Sequence, residues 1–475
     1  MTASTRAFSA SALDRFAAAF AGDIIQPADD GYDDARRVWN AMIDRRPALI
    51  VRPTSVDEVA MALRFGRDAD LAIAVRSGGH SVAGHSTCDD GLIIDMGKMR
   101  GVSVDPRARV ARANGGAFLS ELDRAAQEHG LVCPVGVVGH TGVAGLTLGG
   151  GVGRLQRKFG LTIDSLRAVE LVTADGRPVR ASRDENEELF WGLRGAGANF
   201  GIVTAFEFDL HPFGPGLSRG LWVYPIDRVH DVWQAFHAMV TAASNDLGTS
   251  FNVGLALPAS DFPDSIAGKP AVVVAAGHLG DEAAAARDVR PLLDLGPPVA
   301  GGTLTEMTYL DLQGSNDDTF AWGQRVYTKG GFANDLRPAT LNAVVAHVDH
   351  AIGENSVALL AQGGVMAEPD EESTAFTGRS ARYHTQCESY WSDPAEDDAH
   401  IAWARRAMDI VDADAAVGRY VNMLADTDPE LGRSVYGDSK MARLVALKRA
   451  WDPDNVFRLN QNIDPGLNID PGARA

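Results

Sequence analysis

Val75-Arg76-Ser77-Gly78-Gly79-His80-Ser81-Val82-Ala83-Gly84-His85-Ser86 is the stretch from which the fold of this chain is read. An apolar run, Leu71 to Val75, leads into it and reads as a buried strand. A second, Leu92-Ile93-Ile94-Asp95, follows it. Between them lies a loop of glycines, serines and two histidines, headed by one arginine. Glycine has no Cβ, so such a loop exposes backbone N–H groups and lets a ligand approach closely; an anion such as a phosphate suits it. A Gly-Gly pair alone is more often a plain turn, so the neighbouring segments must decide.

Upstream, Ser11 to Ala21 reads as a helix capped by Ser11, and Asp30 to Met42 as another with Trp39 on its apolar face. Ala48 to Val51 is a strand. Thr54 or Ser55 then caps a helix running through Val59, Leu63 and Phe65 to Asp68, with Asp57 and Glu58 in its first turn. Downstream, Val102–Asp105 and Val110–Ala113 read as strands, Phe118–Glu128 as a helix, and Leu166–Thr173 and Ile202–Leu210 as further strands. The pattern is α+β. The glycine-dense segment from Gly136 to Gly153 is too apolar for a flexible linker and reads as backbone packed close to a large flat ligand.

After Pro212-Phe213-Gly214-Pro215 glycine thins. Helices are expected over Val229–Ala243, Asp281–Leu293 and Leu336–Ile352. Strands are expected over Thr249–Leu257, Ala271–Ala276, Ser356–Gln362 and Ala381–Trp391. These describe a second domain on an antiparallel sheet backed by helices. The tail holds a helix, Ser439 to Arg449, stopped at Trp451-Asp452-Pro453. The expected division is 1–214, 215–415 and a returning segment 416–475.

At 475 residues the chain exceeds one ordinary core. A hydrophobic content of 45% with 23% charged residues describes a globular protein. The net charge of −19, without a basic tract, makes nucleic acid and anionic membrane poor partners. Three cysteines, Cys88, Cys133 and Cys387, argue against a disulfide scaffold, and no Cys-x-x-Cys or His-x-x-x-His pair suggests a metal. Met1 to Ala21 mixes polar and apolar residues, unlike a signal peptide, and no run of 18 apolar residues occurs. Cytoplasm is the expected compartment.

Taken together, the motifs resemble one family. Arg76-Ser77-Gly78-Gly79-His80-Ser81 is similar to the flavin-attachment loop of the berberine bridge enzyme-like FAD-linked oxidases, which carry a two-part PCMH-type FAD-binding domain within the vanillyl-alcohol oxidase superfamily. Gly149-Gly150-Gly151-Val152-Gly153 with Arg157-Lys158-Phe159-Gly160-Leu161 resembles its second FAD segment. Phe190-Trp191-Gly192-Leu193-Arg194-Gly195 with Asn199-Phe200-Gly201 resembles the third, and Trp451-Asp452-Pro453-Asp454-Asn455-Val456-Phe457 with Asn460-Gln461-Asn462-Ile463 the C-terminal signature. The resemblance implies FAD tethered to His80 through the flavin 8α-methyl carbon, chemistry that suits a neutral, nucleophilic imidazole. Arg76, Ser77, Gly78, Gly79 and Ser81 would cradle it. So would His140, Thr141, Gly142 and Gly145, then Gly149, Gly150, Gly151 and Gly153, then Asn199, Gly201, Ile202 and Val203, and finally Asn460 and Asn462. His140 would sit near the ribityl chain and favour reduced flavin. Cys133-Pro134 stands where some members tether the flavin a second time. A small buried hydrophobe is the alternative reading of Cys133.

The expected activity is a FAD-dependent oxidase that takes a hydride from a C–H beside an OH or NH of a small molecule, O2 regenerating the cofactor with release of H2O2. Where many members carry a tyrosine base, two residues before an Arg-Leu pair, this chain has Met441 before Arg443-Leu444. A methionine accepts no proton, which keeps open a flavin-binding protein of weak catalysis, or flavin-dependent oxygenation in secondary metabolism. The strand Arg382 to Trp391 offers a replacement: His384, Gln386, Glu388 and Tyr390 fall on one face at period two. Tyr390, Glu388 and His384 are the nominated catalytic groups; the alternative is that this face meets water. Tyr327, Lys329, Gln362, Tyr420 and Asn422 are further candidates.

Overall fold

Three main sheets, of four, five and eight strands, organise the chain in the structure, a computed structural model that describes residues 8–214, 216–255, 266–415, 418–426 and 431–468. Residues 1–7 of the expected N-terminal segment, Pro215 of the expected junction and residues 256–257 of an expected strand lie outside the described residues.

The four-stranded sheet runs Asp23–Ile25, Leu49–Arg52, Leu92–Asp95, Ile73–Arg76, the last three strands parallel. Parallel neighbours need a crossover, and helix Val56–Asp68 supplies it. Its cap is Ser55, whose Oγ accepts the Glu58 N–H at 3.3 Å; Thr54 instead bonds the Glu58 carboxylate. Leu49, Ile50, Leu92, Ile93 and Ile94 are fully buried because both faces of the sheet are covered. The Gly-rich loop leaves the C-terminal end of Ile73–Arg76, the end at which open α/β sheets bind ligands.

The five-stranded sheet, Val102–Asp105, Val110–Asn114, Ile202–Asp209, Leu166–Val172, Pro178–Ser182, is antiparallel. It shares a core with helices Leu119–Gln127, Glu187–Ala196 and the tail helix Leu431–Trp451, through Leu122, Phe190, Phe206 and Leu444. The eight-stranded antiparallel sheet has the order Ala300–Thr308, Gly216–Pro225, Pro270–His278, Leu247–Leu255, Glu354–Ala361, Tyr383–Trp391, Arg325–Ala333, Arg419–Leu424. One face packs on helices Val229–Ala242, Pro338–Val348 and Asp397–Ala415 through Phe251, Leu359, Tyr383 and Cys387. Side chains alternate along a strand, so the opposite face of Tyr383–Trp391 turns its even-numbered residues to a cavity. The last strand lies past residue 415: the tail supplies a sheet edge before its helix returns to the first core.

Some local expectations are corrected. The helix expected over Asp30–Met42 spans only Tyr32–Arg36. Beyond it the chain is drawn out by tertiary bonds, the Trp39 N–H to the Gly79 carbonyl at 3.1 Å and Asn40 Nδ2 to the carbonyls of Val82 and Val326 at 2.9 and 2.8 Å. Ser9, not Ser11, caps the helix Ala10–Ala19. Asp281–Leu293 is two helices, Glu282–Asp288 and Arg290–Leu293, because Pro291 has no N–H to continue the ladder. The tail helix begins at Leu431 and bends at Gly437, whose φ is +68°. Strands Gly216–Pro225, Ala300–Thr308, Arg325–Ala333 and Arg419–Leu424 went unread, as did helix Asp397–Ala415.

The tail helix ends in a lock. Lys448 and Asp452 are both 0% exposed and pair at 2.8 Å. Lys448 Nζ donates to the carbonyls of Asn199 and Phe457, each at 2.8 Å, while the Asp452 carboxylate accepts from the N–H groups of Val456 and Phe457 at 2.8 and 2.9 Å. This is the physical content of the Trp-Asp-Pro-Asp-Asn-Val-Phe signature: it delivers Phe457, Leu459 and Asn460 to the cavity wall. Lys448→Met leaves a buried carboxylate unpaired, at a cost of about 3–5 kcal/mol. The midpoint of thermal unfolding should fall by about 3–5 °C for a chain of this size; an unchanged midpoint would show that the pair carries no stability.

Candidate active site

A cavity of about 2050 Å³, open solvent at its mouth included, lies between the Gly-rich loops and the eight-stranded sheet. One wall is the loop wall: Ser77, Gly78, Gly79, His80 and Ser81, then Thr141, Gly142, Gly145 and Gly153, with Gly201, Val203 and Asn460. The other is the sheet wall: Val326, Thr328, Leu360, the even residues His384 to Tyr390, and Tyr420 to Leu424.

The two Gly-rich loops meet at Gly78 and Gly142. A Cβ on either would run into the other's backbone nitrogen. Gly142→Ala should therefore force the loops apart, at an overpacking cost of about 1–3 kcal/mol. Flavin content, read as the visible-to-ultraviolet absorbance ratio of purified protein, should drop sharply; full content would show that the loops yield freely.

His80 stacks on Trp39 with ring centroids 4.8 Å apart, and its Nε2 lies 2.7 Å from His140 Nδ1. His140 Nε2 lies 3.3 Å from the Asp317 carbonyl, and Asp317 Oδ1 accepts the Gly139 N–H at 2.6 Å. A carbonyl only accepts, so His140 carries its proton on Nε2 and its Nδ1 accepts from His80 Nε2. That leaves His80 Nδ1 with a free lone pair. Burial, with His140 adding to it, pushes the His80 imidazole down to about 3, so it stays neutral.

Glu388 is the one carboxylate among the described cavity-lining residues, which include no Lys, Arg or Asp. Burial pushes its carboxyl up to about 7, against hydrogen bonds from Tyr390 and Gln386 that pull the other way. His384 is 1% exposed, and neither ring nitrogen has a partner. Burial pushes its imidazole down to about 4. The Tyr420 ring meets it edge-on at 5.2 Å, and the Tyr420 hydroxyl accepts from the Val152 N–H and from Asn422 Nδ2 at 3.3 and 3.1 Å. Three further candidates fall elsewhere. Tyr327, on the helix-covered face with Lys329, donates to Asp426 at 2.9 Å; Gln362 is buried off the wall.

Several expected cofactor contacts are corrected. Arg76 faces no anion site: it pairs with Asp95 at 2.9 Å and binds the Ala35 and Arg37 carbonyls at 2.6 and 3.2 Å. Burial raises the Asp95 carboxyl, but Arg76 and Arg52 outweigh it and hold the group below its ordinary range. Cys133 is fully buried in the first core, off the cavity, its thiol pushed far up by burial. Its surroundings are those of a small buried hydrophobe. Gly149, Gly150 and Gly151 pack on protein; the latter two, at φ +124° and +80°, lie against Phe376 and Thr162. Asn199 secures the tail, its Oδ1 accepting the Ile463 N–H at 3.0 Å. Ile202 is core, and Asn462 stands off the wall. His140 stands off the wall, its Nδ1 2.7 Å from His80 Nε2. Met441 is 1% exposed in the first core, so its position does not reach the cavity.

Trp39, His85 and Phe320 are among the cavity residues that the sequence reading gives no site role. Trp39 was assigned to a helix face. His85 lines the cavity with a buried, unpartnered Nε2. Phe320, whose carbonyl accepts from Trp39 Nε1 at 2.7 Å, comes from a loop with no local signal. The buried, unpartnered Ser77 Oγ, His85 Nε2 and Asn460 Oδ1 on the loop wall offer a hydroxyl, an imidazole nitrogen and a carbonyl acceptor, a set that fits the phosphates and sugar hydroxyls of a dinucleotide.

Comparison with known proteins agrees. Residues 47–182 match the family model of an FAD binding domain, and residues 419–464 the model described as berberine and berberine like. The chain is 31% identical over 463 residues to (R)-6-hydroxynicotine oxidase of Paenarthrobacter nicotinovorans, covering 94% of this chain and 97% of that one. It is 29% identical to an FAD-linked oxidoreductase of Dictyostelium discoideum, covering 96% and 97%. The crystal structure of 6-hydroxy-D-nicotine oxidase from Arthrobacter nicotinovorans aligns with a TM-score of 0.84 at 28% identity, over 94% of this chain and 98% of that one. Among the described residues no helix is long and apolar enough to cross a membrane.

Proposed function

Because the chain belongs to the berberine bridge enzyme-like family of FAD-linked oxidoreductases, we propose that it oxidises a small molecule at a carbon bearing OH or NH, with FAD tethered to His80 and O2 as the final electron acceptor. Bound FAD supplies the acceptor for a hydride and passes two electrons to O2, releasing H2O2. The protein's own part is positional and protolytic. His80, neutral and with Nδ1 free, presents the nucleophile for the tether. Its ring is oriented by Trp39 and by the chain through His140 to the Asp317 carbonyl. Ser77, His85 and Asn460 would hold the polar length of the cofactor on the loop wall.

The observation that carries the reading is Glu388. A carboxylate facing the cavity, steadied by Tyr390 and Gln386 and pushed up to about 7 by burial, is matched to taking a proton at neutral pH. Met441, buried off the cavity, cannot take that role. The relative named for 6-hydroxynicotine oxidation supports a substrate of this size and kind. The test is a screen of small alcohols and amines for anaerobic loss of the flavin's yellow colour, repeated in air for H2O2. A holoenzyme that no such compound bleaches would sink the proposal.

A further inference from the structure

We propose that the groove between helix Glu187–Ala196 and the 363–382 connection is a second binding site, which takes a small organic monocarboxylate on Arg194 and Arg183. It shares no lining residue with the oxidase cavity and does not depend on how that cavity is read.

The motif Phe190-Trp191-Gly192-Leu193-Arg194-Gly195 leads to it. Just past the motif, Ala198 and Gly201 line the oxidase cavity, but Phe190 and Arg194 line a separate groove of about 850 Å³, open solvent included. Helical geometry stops at Arg194, whose ψ is +64°, and Gly195 takes φ +134°. A Cβ on Gly195 would strike the Phe376 nitrogen, so glycine lets the connection between strands Glu354–Ala361 and Tyr383–Trp391 lie against the helix end. There the Ala375 and Phe376 N–H groups donate to the Trp191 and Arg194 carbonyls at 3.3 and 3.0 Å. Ser373 and Thr374 thereby form the opposite wall. The groove is preformed by two distant parts of the chain.

The charges along it do not cancel. Arg194 is half-buried, yet it makes no ion pair among the described residues. Its Nε and Nη2 donate to the Phe190 and Ser373 carbonyls at 3.3 and 3.1 Å, and its guanidinium lies 4.5 Å from the centre of the Phe190 ring. Nη1 is left for a ligand. Burial, with Arg183 adding to it, pulls the Arg194 guanidinium down to about 10. Arg183 is exposed on the same groove. Two carboxylates also line it, and Asp164 is already spent: Arg379, with a side chain 1% exposed, donates to both its oxygens at 2.7 and 3.1 Å. Two guanidiniums therefore stand against Glu187 alone, an excess of one positive charge.

A half-buried cation without a counter-charge is costly until an anion joins it. The planar arginine fork matches a carboxylate in two parallel hydrogen bonds. One negative charge balances the groove. A dianion such as phosphate would exceed the balance and meet Glu187. Phe190 and Pro369 on the same lining suit an apolar body behind the carboxylate, and the space is that of a small-molecule site.

The test is calorimetric binding of benzoate to the FAD holoenzyme at fixed ionic strength. Benzamide serves as the neutral probe and inorganic phosphate as the dianion, and the flavin spectrum reports any ligand in the oxidase cavity. Benzoate should saturate one site, bind more tightly than benzamide or phosphate, and leave the flavin spectrum unmoved. Arg183→Glu reverses an exposed charge that holds nothing in the fold, and should weaken benzoate by about tenfold, one pair lost and one repulsion gained. Arg194→Lys keeps the charge but loses the fork, and should weaken it by about tenfold as well. No saturable benzoate binding at tens of millimolar overturns the proposal. So does tighter binding of benzamide or phosphate, or benzoate binding that shifts the flavin spectrum. Unchanged affinity in Arg183→Glu overturns it too, even where Arg194→Lys fails to fold.

Discussion

Acid-precipitated wild-type protein should give a yellow pellet, and His80→Ala a colourless one with all its FAD in the supernatant. The ring is neutral because burial pushes it down to about 3, and its Nε2 proton is committed to His140, so Nδ1 is the available nucleophile. Alanine removes that atom and also the stacking partner of Trp39. No second tether is expected to compensate. Cys133 lies off the cavity with its thiol held far above the range in which a thiolate forms. Cys133→Ala should therefore leave the pellet as yellow as wild type and the visible spectrum unmoved. Peptide mapping should find the flavin on the fragment containing His80. A colourless wild-type pellet would end the tether proposal, and a yellow His80→Ala pellet would restore Cys133 as a tether.

The sequence exposed this loop because its chemistry and its conformation coincide: Gly79 takes φ +70°, and Gly78 must clear Gly142. The buried parallel strands were equally legible, since Leu49-Ile50-Val51 and Leu92-Ile93-Ile94 are apolar without interruption. The alternating run of Tyr383–Trp391 gave its two faces correctly, odd residues to the helices and even ones to the cavity. Other parts of the large sheet hid. Ala300–Thr308 is an edge strand with Gly301 and Gly302 within it, and most of its residues are at least partly exposed, so hydrophobic periodicity is faint. Gly330-Gly331 interrupts Arg325–Ala333 in the same way. Arg76 shows the opposite failure. Its position beside a glycine loop suggests an anion partner, and only the fold reveals that Asp95, nineteen residues on, already holds it. Trp39 and Phe320 reach the cavity through contacts across hundreds of residues, for which no local pattern exists.

Glu388→Gln should slow anaerobic reduction of the bound FAD by about 10²–10⁴-fold, the usual worth of a positioned proton acceptor. The pH dependence carries the sign. Burial raises the Glu388 carboxyl to about 7, so it is protonated and inert as a base below that value and competent above it. The wild-type reduction rate should climb as pH rises through about 7, and the glutamine variant should lack this limb. His384, pushed down to about 4, cannot supply it. A limb belonging to a substrate ammonium would lie higher and persist in the variant. Tyr390 and His384 separate from Glu388 by the same assay. Tyr390→Phe deletes a hydrogen bond that lowers the Glu388 carboxyl, so the midpoint should move up while the high-pH rate survives. A loss of about 10²-fold at every pH would instead make the Tyr390 phenol the acceptor. His384→Ala removes unpartnered nitrogens facing the cavity that a bound substrate could satisfy, so substrate affinity should weaken more than the limiting rate. If all three variants, with FAD retained, reduce within about threefold of wild type across the pH range, the sheet wall carries none of the proton chemistry and the assignment of Glu388 is wrong.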